Sequence, residues 1–131
     1  MGLGKNIKIL LIEDNSGDAY LIEEHLKEFA NFSYKIESVK TLNEALDVLK
    51  KQLFDVILLD IVLPDSDGVN TFFRIHNQNS YIPIILLIEL DDETIGSYAV
   101  EKGAHDFFVK GQTEGRLLEC INTCASSIQL D

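Results

Sequence analysis

Asp60 interrupts an apolar run, with Val56-Ile57-Leu58-Leu59 before it and Ile61 after it. A short run of this kind, rich in branched side chains, reads as a strand buried on both faces of a parallel sheet. A carboxylate at its end is expensive to bury without a partner. Three other apolar runs also end in ionisable residues: IKILLI at 7–12 is followed by Glu13-Asp14, PIILLI at 83–88 by Glu89, and DFFVK at 106–110 finishes on Lys110. In open α/β sheets ligands bind just outside the carboxyl ends of the strands. A doubly wound sheet makes the first and third strands neighbours, so Glu13, Asp14 and Asp60 converge on one crevice. Like charges this close repel and raise one another's pKa. A hard divalent cation relieves that repulsion, and carboxylate plus carbonyl oxygens suit Mg²⁺. Lys110, across the site, supplies further positive charge. A metal, a reactive carboxylate and a lysine are what phosphoryl transfer to an aspartate requires, because its catalysis is mainly positioning and neutralisation of the charge on the equatorial oxygens.

The elements that must position these residues follow from periodicity. Residues 1–6 are a small, polar lead-in to the strand at 7–12. Ser16 can cap a helix to about Phe29, with Ala19, Ile22, Leu26 and Phe29 on one face. Tyr34–Val39 alternates and suits an edge strand. Thr41-Leu42-Asn43-Glu44 is a capping box for a helix to about Gln52, with Leu42, Ala45, Leu46 and Leu49 as its buried stripe. The strand at 55–59 and the turn-rich segment Leu63–Gly68 precede a helix carrying Val69, Phe72, Phe73 and His76. After the strand at 83–88, Asp91 or Asp92 caps a helix with Ile95, Tyr98 and Ala99 inward, which Gly103 is placed to end. A fifth strand at 106–110 leads to a last helix from near Thr113, carrying Leu117, Leu118, Ile121, Cys124, Ala125 and Ile128. Five strands alternating with five helices predict right-handed crossovers and a parallel sheet with helices on both faces. No G-x-G-x-x-G follows the first strand, which disfavours dinucleotide binding.

The chain has 131 residues, enough for one domain with a real core, and 46% of them are hydrophobic. Asp and Glu number 22 against 11 Lys and Arg, a net charge of -11, which argues against nucleic acid as a direct ligand. Cys120 and Cys124 lie four apart on one face of the last helix and read as buried, inert thiols. No leader and no apolar span near membrane length is present, so a cytoplasmic location and no membrane contact are expected. His25, His76 and His105 are scattered without a ligand partner. Asp65 and Asp67 look like the start of a calcium loop, but Val69 and His76 stand where oxygen ligands belong, so they read as turn residues. Phe72-Phe73 and Phe107-Phe108 read as core.

The order LLIEDN, DVILLDIVLPDSDG, PIILLI and GAHDFFVK resembles the receiver domain of two-component response regulators, over nearly the whole chain. The resemblance implies one flavodoxin-like domain over residues 1–131, a three-layer α/β fold with a five-stranded parallel sheet in the order 2-1-3-4-5. It implies a cytoplasmic signalling domain that accepts a phosphoryl group on Asp60 and is no enzyme beyond its own phosphoryl transfer and dephosphorylation. Glu13, Asp14 and Asp60 match the family's Mg²⁺ ligands, and Val62 matches the residue whose backbone carbonyl completes them. Lys110 matches the lysine that contacts the phosphoryl group. The implied partners are a sensor histidine kinase or phosphotransfer protein. A homodimer or effector contact is implied through the face of the fourth helix, fifth strand and fifth helix, where Tyr98, Glu101 and Lys102 fall.

Two positions depart from the pattern. The family carries Thr or Ser at the end of the fourth strand, then a small residue; here Ile88 and Glu89 stand there. The hydroxyl normally bonds a phosphoryl oxygen while an aromatic, here Phe107, turns inward behind it. Losing one charge-assisted hydrogen bond costs about 1.5–3 kcal/mol of preference for the active state, so weakened switching is expected. Gly111 replaces a proline whose cis bond stiffens the turn after the lysine, which makes Lys110-Gly111-Gln112 a looser turn. The alternative is a degenerate receiver serving as a phosphorylation-independent interaction module. A phosphatase resembling the haloacid dehalogenase class is disfavoured, because it needs a second Asp two residues past the nucleophile, where Val62 stands. The chain end at Asp131 leaves both a stand-alone regulator and a domain of a longer protein open.

Overall fold

Strand β1 (Ile7–Ile12) is paired on both sides, with β2 (Tyr34–Val39) at one edge and β3 (Val56–Asp60) inward. Strands β4 (Ile84–Ile88) and β5 (Asp106–Val109) extend the sheet beyond β3, and every pairing is parallel. The spatial order is therefore β2-β1-β3-β4-β5, the predicted 2-1-3-4-5. This computed structural model describes residues 6–111 and 115–128, with side chains described as far as residue 125.

Alternation along each strand divides the core in two. Leu10, Ile12, Ile57, Leu59, Ile84, Leu86 and Ile88 face α2 (Leu42–Lys51), α3 (Val69–His76) and α4 (Glu93–Glu101). Ile9, Leu11, Val56, Leu58, Ile85, Leu87 and Phe108 face α1 (Ser16–Phe29) and α5 (Arg116–Ile128). The near-continuous apolar character of β1, β3 and β4 follows from burial on both faces. The change of helix layer between α1 and α2 puts a topological switch between β1 and β3, and the crevice beyond their carboxyl ends is where such a fold binds ligands.

Several boundaries differ from the sequence reading. Asn15, not Ser16, caps α1: its side chain accepts from the Asp18 N–H at 2.9 Å. Half of the predicted capping box of α2 forms, with Thr41 Oγ1 accepting from Glu44 N–H at 3.0 Å, while the Glu44 carboxylate accepts from the N–H of Lys40, one residue before the cap, at 2.8 Å. β3 runs one residue further than 55–59 and carries Asp60 as its last residue. The turn-rich segment closes as a two-residue antiparallel ribbon, Val62–Leu63 with Ser66–Asp67. Asp92 occupies the cap position of α4 without a side-chain cap bond, while Asp91 lies within a short 3-10 turn at Leu90–Asp92. Tyr98 is exposed at 44%, and Gly96 takes the inward place beside Ala99. Gly103 follows α4 with φ +126, a conformation that suits glycine. The predicted start of the last helix near Thr113 lies outside the described residues.

Phe29, read onto the inward face of α1, is 59% exposed, and β4 starts at Ile84 and β5 ends at Val109, each one residue short of the expected strand. Phe72 and Phe108 are buried and Phe73 and Phe107 half-buried. Cys124 is buried and Cys120 half-buried, both unpaired. Burial pushes their thiols up to about 12 and about 11, away from thiolate chemistry. Among the described residues no helix is long and apolar enough to cross a membrane.

Candidate functional site

The ends of β1, β3 and β5 open on a cleft of about 250 Å³ that brings together Glu13, Asp14, Asp60, Val62, Ile88, Glu89 and Lys110. Backbone pairing sets each of them in place. Glu13 N–H donates to the Val39 carbonyl at 3.0 Å, carrying the β1–β2 pairing one step past the strand. Asp60 is in register with Leu87 of β4. Lys110 N–H donates to the Ile88 carbonyl at 2.8 Å, so the lysine leaves the sheet beside the end of β4.

The Lys110 ammonium is the centre of the site. Its Nζ lies 2.9 Å from Glu13 Oε1, 3.1 Å from Asp60 Oδ2, 3.1 Å from Asp18 Oδ2 and 3.8 Å from Glu89 Oε2. The Glu13 and Asp60 side chains are nearly inaccessible, at 0% and 7%, whereas that of Glu89 is 67% exposed. Asp60 Oδ1 accepts from Val62 N–H at 3.0 Å, and Glu13 Oε2 from Asn15 N–H at 3.2 Å. The short contact from Lys110 to Glu13 Oε1 is poorly directed, so that buried oxygen has no hydrogen-bond donor.

Burial, then the neighbouring Asp60 carboxyl, pushes the Glu13 pKa up to about 7 against the opposing pull of Lys110. Burial alone would lower the Lys110 pKa, but its contacts with Glu13, Asp60 and Asp18 outweigh that and raise it above the usual lysine value. These two shifts compete, since a protonated Glu13 does little to hold the lysine charged. Asp60 and Asp18 remain as its partners, so the lysine stays an ammonium either way.

The donor set fits a hard divalent cation. Glu13, Asp14 and Asp60 each offer a carboxylate oxygen, and the three oxygens lie within 4.8 Å of one another, with Asp14 on the exposed side. The undonated Glu13 Oε1 is a lone-pair site already desolvated, which a Mg²⁺ ion would satisfy. Val62 lines the same cleft.

Ile88 and Phe107 sit differently. Ile88 is 1% exposed and packs in the core layer of α2, α3 and α4, with Phe107 half-buried against that layer. Phe107 does not line the cleft; its ring covers Gly96 of α4. Asp18 is the site residue that sequence reasoning passed over. Its signal was present in the alternation: Asp60 and Lys110 continue the rows of Leu58 and Phe108, which face α1 and α5, so the first turn of α1 overhangs them. A larger, shallower recess of about 950 Å³ between α1 and α5, lined by His25, Phe29, Arg116 and Glu119 among others, gathers no comparable cluster of carboxylates. His76 stacks on Phe72 with centroids 5.0 Å apart, a core contact.

The regulatory protein VanR of Enterococcus faecium is 34% identical over 103 residues, 79% of this chain and 43% of that protein. Protein RcaC of Microchaete diplosiphon is 34% identical over 104 residues, 79% of this chain and 16% of that protein. The chain thus spans less than half the length of either relative. Among solved structures, the signal receiver domain of a signal transduction histidine kinase from Syntrophus aciditrophicus matches with a TM-score of 0.79 at 28% identity, covering 95% of this chain and 93% of that one. The family model described as the response regulator receiver domain matches residues 9–122. Because that match runs from β1 into α5, across the whole sheet and the cleft at its carboxyl end, the chain belongs to the response regulator receiver domain family, the signalling domains of two-component systems.

Proposed function

We propose that the chain is a phosphorylation-dependent receiver that takes a phosphoryl group from a histidine kinase or phosphotransfer protein onto Asp60. The observation that carries this reading is the buried Asp60 carboxylate 3.1 Å from the Lys110 ammonium, with Glu13 and Asp14 converging beside it. An Asp60 oxygen attacks phosphorus, the P–N bond to the donor imidazole breaks, and the imidazole leaves with its electron pair and takes up a proton from water. Lys110 neutralises charge on the phosphoryl oxygens, and Val62 N–H holds Asp60 Oδ1 in orientation. Glu13, Asp14, Asp60 and the Val62 carbonyl are the residues that would hold Mg²⁺, which when bound screens the negative charge of the cleft.

The test is incubation with a small-molecule phosphodonor and Mg²⁺, read by intact mass. The expected result is one phosphoryl group per chain, released by hydroxylamine and absent in Asp60→Asn. A parent that gains no mass sinks this reading. The second reading, an interaction module that never takes phosphate, draws on the buried Ile88 without a hydroxyl and on the Glu89 carboxylate 3.8 Å from Lys110. It predicts no adduct and no Mg²⁺ binding at millimolar concentration. Output in either case is assigned to the face of α4, β5 and α5, where Tyr98, Glu101 and Lys102 are exposed and the Lys102 ammonium stands 5.5 Å from the Tyr98 ring centroid.

A further inference from the structure

Three carboxylates stand within 3.1 Å of the Lys110 ammonium, with Glu89 farther off at 3.8 Å, and the three are not equivalent. Glu13 and Asp60 are the two that the phosphoacceptor reading assigns to Mg²⁺ and to the phosphoryl group. Asp18, whose Oδ2 accepts from Lys110 Nζ at 3.1 Å, is assigned to neither and lies outside the Glu13-Asp14-Asp60 cluster. It is the partner within hydrogen-bond distance that Lys110 keeps when the other two are engaged.

The described part of the turn after the lysine, Gly111, shows no such hold. Gly111 has φ +85, nothing lies within 4 Å of where its Cβ would be, and no peptide bond among the described residues is cis. Among the described residues the last backbone bond of the strand is that from Lys110 N–H to the Ile88 carbonyl, and the ammonium beyond it is held by its side-chain partners. Asp18 is itself well anchored: its N–H donates to the cap residue Asn15 at 2.9 Å, on the first turn of a 14-residue helix. Its side chain, 38% exposed, reaches the lysine from the rim of the cleft.

We propose that Asp18 is a positioning residue that tethers Lys110 over Asp60 from the first turn of α1. This deepens the phosphoacceptor reading and rests on it. With Glu13 and Asp60 turned to the metal and the phosphoryl group, Lys110 bridges a phosphoryl oxygen and Asp18.

The experiment compares the parent with Asp18→Ala and Asp18→Asn by two readouts. The first is the order parameter of the Lys110 side-chain Cε in ¹³C-lysine protein saturated with Mg²⁺. The second is the rate of adduct formation at saturating acetyl phosphate, with Mg²⁺ affinity measured alongside. The expected result for Asp18→Ala is a mobile Lys110 tip, a rate about tenfold lower and Mg²⁺ affinity within about twofold of the parent, as loss of one charge-assisted bond outside the metal ligands predicts. Asp18→Asn keeps an acceptor oxygen and recovers most of the order, while sharing with Asp18→Ala the lost charge in the first turn of α1. An unchanged Lys110 signal in Asp18→Ala, or a faster reaction, overturns the proposal. A parent that forms no adduct while Asp18→Ala still frees Lys110 sinks the phosphoacceptor reading and leaves the tether standing.

Discussion

The Phe107 ring lies directly on Gly96 of α4: a Cβ added at Gly96 would stand 2.7 Å from Phe107 Cγ and 2.9 Å from Cδ1. No Cβ tolerates that approach, so the bare Cα of Gly96 is what lets the aromatic ring of β5 pack flat against the helix. Gly96→Ala gains helix propensity, about 1 kcal/mol, but forces the ring away at an overpacking cost of about 1–3 kcal/mol. The net expectation is a small loss of stability with a displaced Phe107. Aromatic NMR shifts of Phe107 that match the parent would contradict it.

Asp65 joins the turn after β3 to the start of α2. Its carboxylate accepts from Leu42 N–H at 2.8 Å and Asn43 N–H at 2.9 Å, and the Leu42 bond foremost holds its pKa below the usual aspartate value. A carboxyl depressed in the folded state stabilises above its unfolded pKa, and that contribution is lost as pH falls through the folded value. Asp65→Ala is therefore expected to cost about 1 kcal/mol at neutral pH, less if water replaces the exposed acceptor. The difference from the parent should shrink below the unfolded pKa of about 4. Urea melts at neutral and acid pH check this, and a gap that widens in acid would refute the sign.

The meeting of Glu13, Asp14, Asp60 and Lys110 was legible because strand ends are legible: four apolar runs each finish on an ionisable residue, and parallel order stacks those ends together. Asp18 was less so, because it lies on a helix whose angle over the sheet no local pattern encodes; only the shared face of Asp60 and Lys110 pointed to it. Tyr98 was misplaced for a packing reason, since the inward face of α4 is centred on Gly96, which lies under the Phe107 ring, and Ala99, and that turns Tyr98 outward. The cap of α1 shows that Asn and Ser compete at neighbouring positions, and the one-residue offset there is decided by which side chain reaches an open N–H.

Mg²⁺ should stabilise the parent, because it binds carboxylates that repel one another in the folded chain and are dispersed in the unfolded one. At tenfold excess over its dissociation constant the gain is about 1.4 kcal/mol. Thermal melts with and without Mg²⁺, compared with Asp14→Asn, provide the measurement. Asp14 is the exposed member of the cluster, so its replacement should leave the metal-free melt nearly unchanged and remove most of the Mg²⁺ effect. Equal Mg²⁺ shifts in parent and variant would place the ion elsewhere.

Ile88 occupies the β4 end both as core and as cleft wall, 1% exposed in the layer against which Phe107 packs. Ile88→Thr trades an ethyl group for a hydroxyl there. Lost apolar contact and a partly unsatisfied hydroxyl together should cost roughly 2 kcal/mol in the metal-free protein. Once a phosphate mimic occupies Asp60, the hydroxyl at the end of β4 gains an acceptor, and the penalty shrinks by about the 1.5–3 kcal/mol of a charge-assisted bond. The variant should therefore be less stable than the parent without the mimic and closer to it with the mimic. Its amide spectrum should change more on adding the mimic, with Phe107 and Gly96 among the residues that move, since the smaller side chain gives the ring room to turn inward. A stability penalty of equal size in both states would show that residue 88 is purely core, and that the switch of this receiver runs through other contacts.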